Sequence, residues 1–308
     1  MESSLGSNKN LIGVEISSSK IVAVCVDESG VLKGSFTIAI EAAQESAEQV
    51  VEAIKRAERE FGAFSVFGLA IPGLLNRDTN RVALSTHTPE HAEIDLLNEI
   101  ESRTQKKIYI ENDANAAAYG EYCAGAGKGS KDMFYVTLGT GVGGALIFEN
   151  DLWHGNSGFA GEFGSFAINT EGLRLEDVAS SRSIVDRTKS RFHQDPTSSL
   201  NEIGEENITI NDIVREARNE DDFAQLMLER TGNYVGTALA GVINLLNIER
   251  VVIGGEIMEA EHLVLDAIVA RAEELSFAPS FETTKIVEGL LGENAGAIGA
   301  ALLSKSAS

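Results

Sequence analysis

Two cysteines, Cys25 and Cys123, are all that the 308 residues contain. Two thiols build neither a disulfide scaffold nor a four-thiolate zinc site. Basic residues are scarce as well: 25 Lys and Arg stand against 47 Asp and Glu, a formal net charge of −22. A surface of that sign repels phosphate backbones unless a local basic patch reverses it, and the densest basic positions, Lys106-Lys107 and Lys128/Lys131, make no such patch. Nucleic acid is therefore not expected as a partner. No apolar run approaches the roughly 18 residues of a spanning helix, and residues 1–10 (MESSLGSNKN) lack a signal-peptide core, so no membrane partner is expected and a cytoplasmic location is. With 43% hydrophobic and 23% charged residues, a globular enzyme or binding protein remains. At roughly 150 residues per domain, the length implies two domains or lobes.

Residues 11–26 (LIGVEISSSKIVAVCV) read as two β-branched strands broken by Ser17-Ser18-Ser19, and a third strand near 34–40 predicts an antiparallel meander. Over 44–61, Ala47, Val50, Val51, Ile54 and Ala57 recur at the spacing of one helix face. Residues 65–71 predict a buried strand ending at the turn dipeptide Pro72-Gly73, 95–102 a helix, and 107–110 a strand running into Glu111-Asn112-Asp113. An alanine-rich helix over 114–124 follows. A strand over 133–138 then enters a glycine cluster, which 145–148 leaves as another strand. Glycine-rich 153–170 reads as an ordered loop. Helices are predicted over 175–192, 210–219 and 221–247, with polar 194–207 a loop. A strand over 251–253, a helix over 261–275, a strand near 285–287 and a small-residue helix over 294–304 complete the chain. Strands followed by helices in this rhythm predict an α/β fold of two similar lobes.

Four constellations stand out for chemistry. Thr137-Leu138-Gly139-Thr140-Gly141-Val142-Gly143-Gly144 lies between two strands, where glycines let backbone N–H groups approach an anion and threonine hydroxyls add donors. Its spacing is neither a Walker loop nor a GxGxxG ahead of a helix, and phosphate binding is expected there rather than an empty hairpin. Asp113, where a strand end opens a helix, reads equally as a helix N-cap and as a general base that takes a proton from a substrate hydroxyl. Glu162, amid the glycines of 155–165, is either a carboxylate reaching a small polar ligand or a solvated loop residue. Gly254-Gly255, ending a buried strand ahead of Glu256, leaves room for a flat group such as a purine, though many parallel strands end in glycine.

Together and in this order, these segments resemble the ROK (repressor, open reading frame, kinase) family of sugar kinases and regulators, part of the actin-like ATPase superfamily. The resemblance runs from about Leu11 to Leu303. It is strongest in AIPGLLNRDTNRV (70–82), IENDANAAAYGE (110–121), VTLGTGVGGALI (136–147), GNSGFAGEFG (155–164), VVIGGE (251–256) and GENAGAIGAALL (292–303). It implies an α/β, two-lobed actin-like ATPase (ribonuclease H-like) fold, with 10–113 plus 294–308 as the N-terminal lobe and 114–293 as the C-terminal lobe. It also implies phosphorylation of a hexose hydroxyl by ATP with magnesium, glucose to glucose 6-phosphate being the expected case. Asp113 matches the family's catalytic base. Asn112 and Glu162 match residues that hydrogen-bond sugar hydroxyls, and Glu176 matches a Glu that also contacts the sugar. His87 stands where relatives often place a sugar-binding Asn. Thr137, Gly139, Thr140, Gly141 and Gly143 match the segment holding the ATP phosphates, and Gly254 and Gly255 the adenosine-side motif. Glu15, Ser19 and Lys20 fall in the first phosphate loop. A homo-oligomer, dimer or tetramer, is expected, and an apolar face around 234–247 would suit its interface.

Three departures accompany the resemblance. The family's first phosphate loop reads roughly D-x-G-G-T-K, and here Glu15-Ile16-Ser17-Ser18-Ser19-Lys20 stands in its place, with Cβ atoms at Ser17 and Ser18 where backbone would meet phosphate. The family's zinc site uses a His after G-E-x-G and three clustered cysteines; Ser165 takes the His position and 166–175 holds no cysteine, so no structural zinc is expected and packing must hold 165–176. The third is His87 itself. These departures keep a rival open, a sugar-binding sensor or partner subunit of the same fold that has lost catalysis. Regulatory relatives carry an N-terminal helix-turn-helix, and with about ten residues before the first strand none is expected here. His154, His193 and His262 are isolated and read as surface or packing residues, Trp153 as a partly buried anchor, and 216–222 as a solvated acidic face.

Overall fold

The computed structural model describes residues 10–41, 44–77, 79, 81–85 and 95–307. The chain divides into two compact units, Met1–Gly129 with Leu152–Ala160 and Glu293–Ser308, and Ser130–Asp151 with Gly161–Gly292. Each has its own apolar core.

The first unit is built on a five-stranded sheet of β1 (Leu11–Ile16), β2 (Lys20–Val26), β3 (Leu32–Ala39), β4 (Val66–Ile71) and β7 (Lys107–Asn112), in the order β3-β2-β1-β4-β7. The first three form the predicted meander, and β4 and β7 run parallel to β1. Between β4 and β7 lies a small hairpin, β5 (Leu74–Asn76) and β6 (Arg81–Leu84), for which the sequence offered no forecast. Helix α1 (Ser46–Phe61) buries the predicted Ala47, Val50, Val51, Ile54 and Ala57 against the sheet, and α2 (Leu96–Thr104) packs beside it. Helix α3 (Asp113–Ala124) packs along the closing helix Ala295–Leu303. That contact places α3 in the first unit, which runs on to Gly129.

Small residues explain how closely these layers approach. A Cβ at Gly13 of β1 would lie 1.8 Å from the Ala297 carbonyl oxygen, and one at Gly68 of β4 would lie 1.8 Å from that of Ala300. Helix backbone therefore rests directly on strand backbone, with no side chain between them. The consequence is positional: the N-terminus of the closing helix is held at the carboxyl end of β1.

The second unit repeats the sheet pattern with β8 (Met133–Leu138), β9 (Val142–Phe148), β10 (Asp151–Leu152), β11 (Arg250–Gly254) and β12 (Lys285–Glu288), in the order β10-β9-β8-β11-β12. Strands β8 and β9 are antiparallel, and β11 and β12 run parallel to β8. Strand β9 starts at Val142, earlier than the predicted 145, because Gly143 and Gly144 pair with Thr137 and Val136. The helix predicted over 175–192 breaks at Ser180, whose extended backbone separates a short turn, Glu176–Ala179, from α4 (Ser181–Lys189). Helices α5 (Ile210–Arg218), α6 (Asp222–Leu246) and α7 (His262–Leu275) follow, and α6 meets α7 closely at Gly232 and Gly236. Among the described residues, no helix is long and apolar enough to cross a membrane.

Candidate functional site

In open α/β sheets, ligands gather at the carboxyl ends of parallel strands. In the first unit, Glu15, Ala70 and Glu111 stand side by side across β1, β4 and β7 at that end. Strand β7 runs straight into α3, and the residue at the junction is Asn112. Its Oδ1 accepts the Asn115 N–H at 3.0 Å, which makes Asn112 the N-cap; Asp113, which could equally have filled that place, is the first residue of the helix instead. The Asn112 Nδ2 donates to the Gly73 carbonyl at 3.0 Å and to Asp113 Oδ1 at 2.9 Å. Asp113 Oδ1 also accepts the Ala114 N–H at 2.9 Å, so this carboxylate is fixed in direction at the positive end of a helix.

Glu15 is packed over the N-terminus of the closing helix, where a Cβ at Gly296 would lie 2.5 Å from its carboxylate. Burial first, and the negative charge of Asp113 second, push its pKa from 4.5 up to about 8, against the pull of Lys20 and of a hydrogen bond from the Ala297 amide. Lys20 Nζ reaches Glu293 at 2.6 Å. The turn between β1 and β2 is closed by its own serine. Ser17 Oγ donates to the Lys20 carbonyl at 3.0 Å and accepts the N–H groups of Lys20 at 3.1 Å and Ser19 at 3.3 Å.

Beside Asn112, the Glu111 carboxylate is only 1% exposed. Its Oε2 accepts from Arg77 Nη2 at 2.8 Å and lies 3.1 Å from His154 Nε2, and its Oε1 accepts from the Asn112 N–H at 2.9 Å and from Asn115 Nδ2 at 3.1 Å. Arg77 also contacts His154 directly. Burial pushes the Glu111 carboxyl up, but the hydrogen bond from His154 and the charge of Arg77 outweigh it and hold the group below its usual value.

In the second unit the turn between β8 and β9 is Gly139-Thr140-Gly141. The Gly139 N–H donates to the Gly141 carbonyl at 3.0 Å, and the Gly139 carbonyl accepts the Ser181 N–H at 2.8 Å. The Val142 N–H donates to Glu176 Oε2 at 3.0 Å. Glu176, expected against a sugar, thus spends one oxygen on the end of this turn. Among the described residues, the amides of Thr140 and Gly141 have no protein acceptor. Glu256 Oε1 accepts from Ser181 Oγ at 2.6 Å, beside Gly139. Both glycines of the 254–255 pair are required by packing: a Cβ at Gly254 would lie 2.4 Å from the Tyr135 hydroxyl, and one at Gly255, where φ is +96°, would lie 2.3 Å from the Leu138 carbonyl oxygen. Glu162 is exposed and precedes a 3-10 turn, Phe163–Ser165, that lies within reach of Glu176 through Gly164.

The signature of the ROK family spans residues 11–307. The chain belongs to the ROK family. A glucokinase of Halalkalibacterium halodurans is 31% identical over 249 residues, 77% of this chain and 75% of that protein. The crystal structure of a ROK family glucokinase from Streptomyces griseus, in complex with glucose and AMPPNP, matches with a TM-score of 0.84 at 30% identity, over 97% of this chain and 100% of that one. A xylose repressor of Bacillus subtilis is 28% identical over 240 residues, 75% of this chain and 59% of the repressor. The likeness to ROK kinase structures shows the actin-like ATPase fold, and the family's reach extends to both sugar kinases and repressors.

Within this ROK chain, the segment that lacks the zinc-site cysteines is organised by backbone. Ala167 bridges Arg174, the Ile168 N–H donates to the Leu173 carbonyl at 2.8 Å, and Asn169 Oδ1 accepts from the amides of Glu171 and Leu173. Among the described residues, no group of three or more His, Cys, Asp or Glu side chains is placed to hold a metal ion. His87 lies outside the described residues. The structure brings Glu15, Lys20, Asn112 and Asp113 together in the first unit, and Thr137, the 139–141 turn, Gly143, Glu176 and the 254–256 end of β11 in the second. Sequence reasoning missed Arg77 and Ser181 and passed over the partnership of His154; each acts through a residue 34 or more positions away.

Proposed function

We propose that this protein is an ATP-dependent hexose kinase acting on glucose to give glucose 6-phosphate. The observation that carries the reading is Asp113, a carboxylate held by the Ala114 amide and the Asn112 side chain at a strand end, in a chain 30% identical to a glucokinase whose structure holds glucose and AMPPNP. In this reading the sugar hydroxyl gives its proton to Asp113 as its oxygen bonds the γ-phosphorus, and the bond to the β-phosphate oxygen breaks to leave ADP. Asn112, Glu162, Glu176 and His87 would bind the sugar. Ser19, Lys20, Thr137 and the 139–143 segment would meet the phosphates, and Gly254-Gly255 the adenosine. Magnesium would enter with ATP; Glu15 and Asp113 offer the oxygen donors that this hard cation takes, and it would supply charge neutralisation on the phosphates. A cytoplasmic homo-oligomer belongs to the same proposal, and Leu245 and Phe277, 82% and 66% exposed, are apolar groups that an interface would cover.

The test is an ADP-release assay with magnesium and ATP over glucose, mannose, fructose, N-acetylglucosamine and N-acetylmannosamine. Sugar-dependent turnover that falls about 10³-fold in Asp113→Ala is the expected result. A second reading, a sugar-binding sensor, is favoured by the Ser17 hydroxyl seated on the Ser19 and Lys20 amides. Sugar binding in calorimetry with no turnover on any sugar would establish it and end the kinase reading.

A further inference from the structure

We propose that Arg77, Glu111 and His154 form a positioning clasp that sets the protein's affinity for its sugar. The clasp rests on the premise shared by the kinase and sensor readings, that the sugar meets the Asn112–Asp113 end of β7.

Glu111 is a buried carboxylate with donors from three separate stretches of chain: Arg77 in the turn of the β5–β6 hairpin, His154 in the 152–160 segment, and Asn112 and Asn115 at the start of α3. A buried charge that loses such partners is strongly destabilising, so the arrangement holds all three stretches in one geometry. Hydrophobic burial does little of this for 153–160, since no residue between Leu152 and Phe163 is fully buried. That segment is shaped instead by the Ala160 N–H donating to the His154 carbonyl at 3.1 Å and by His154 reaching Glu111. Gly158, at φ +92°, lets it lie directly on the hairpin, where a Cβ would stand 2.9 Å from the Leu75 carbonyl oxygen and 3.1 Å from Arg77 Cγ.

The hairpin is tied to the same strand end a second time, through Asn112 Nδ2 and the Gly73 carbonyl. Loosening Glu111 therefore disturbs Asn112 from both sides: its amide loses an acceptor, and the hairpin that receives its side chain loses an anchor. Catalytic geometry is sensitive to displacements of about 1 Å, so the effect at Asn112 and Asp113 is disproportionate to one hydrogen bond. Among the described residues, Ser19 and Lys20, assigned to the phosphates, make no hydrogen bond to Arg77, Glu111 or His154. The clasp should therefore separate sugar affinity from nucleotide affinity.

The experiment is calorimetry of the intact protein with glucose and, separately, with magnesium and AMPPNP, for wild type, His154→Ala, Arg77→Ala, His154→Gln and Lys106→Ala. Lys106 bonds Glu58 and the Phe64 carbonyl in the same unit and serves as a control for general loosening, read by thermal unfolding. Glucose affinity should fall about tenfold in His154→Ala and Arg77→Ala, with AMPPNP affinity unchanged. His154→Gln, which restores a donor to Glu111, should recover most of the loss. Unchanged glucose affinity in both alanine variants overturns the clasp. So does a parallel loss of glucose and AMPPNP affinity that Lys106→Ala reproduces. Wild-type protein that binds AMPPNP and none of the five sugars overturns the premise along with the clasp. Glucose binding without turnover overturns the kinase reading alone and leaves the clasp to be judged on its affinities.

Discussion

The turns after β1 and after β8 occupy the same place in two sheets of the same strand order, yet they treat their backbone amides in opposite ways. In the first unit, Ser17 Oγ accepts from the amides of Ser19 and Lys20, and the Lys20 ammonium is paired with Glu293. In the second, Gly139 has no side chain to do this, and among the described residues the amides of Thr140 and Gly141 have no protein acceptor. One residue before each turn's flanking position, the first unit has Glu15 and the second has the neutral Thr137. Topology alone would predict two equal anion sites. Side chains predict a division of labour instead, with backbone donors offered by the second unit and a buried carboxyl group by the first.

The largest effect that can break this contrast concerns Glu15. In the folded protein it keeps its proton up to about pH 8, whereas the unfolded chain releases it near 4.5. Between those values the folded state binds the extra proton, so stability is greatest at the acid end and falls as pH rises toward 8, at up to about 1.4 kcal/mol per pH unit. Glu15→Gln removes that fall. Thermal unfolding from pH 5 to pH 8.5 should show the variant gaining steadily on wild type. A constant difference across the range would mean that Glu15 is charged throughout and that burial does not hold a proton on the first unit's carboxyl group.

A smaller effect is expected from making the second turn like the first. Gly139→Ser introduces a hydroxyl where the nearest atom to the new Cβ is Glu256 Cγ at 3.7 Å, so the fold has room for it. Its oxygen would reach the Gly141 amide as Ser17 reaches that of Ser19. AMPPNP affinity, measured by calorimetry, should drop about tenfold with thermal stability unchanged. Undiminished affinity would show that the open amides are not where phosphate is held.

How far such contrasts were legible in the sequence depends on their range. Helix α1 and the meander were visible because their signals are periodic and local, and the closing helix because a run of Ala and Gly fits nothing but close packing. The hairpin Leu74–Leu84 was not, since strands of three and four residues carry too few alternations to register. The capping choice between Asn112 and Asp113 turns on one backbone angle pair, and both residue types cap well. The grip of Glu176 on Val142, and the convergence of Arg77 and His154 on Glu111, join positions 34 to 43 apart. Nothing in their immediate neighbours marks them. Likewise, the raised pKa of Glu15 comes first from its burial and second from Asp113, which the parallel run of β1, β4 and β7 brings near it.

The smallest effect tests the comparison most directly. Removing the Ser17 hydroxyl with Ser17→Ala keeps the Cβ and the backbone preferences while returning the Ser19 and Lys20 amides to solvent or ligand. If those amides are phosphate donors held back by the serine, AMPPNP should bind about fivefold more tightly, the worth of a typical hydrogen bond that no longer has to be exchanged. Ser17→Gly should gain less, because the freed turn also gains conformational entropy that binding must remove. Weaker binding in Ser17→Ala would carry the opposite lesson. The hydroxyl would then be a phosphate ligand in its own right, and a serine in the first unit would be doing by side chain what glycine in the second does by exposing backbone.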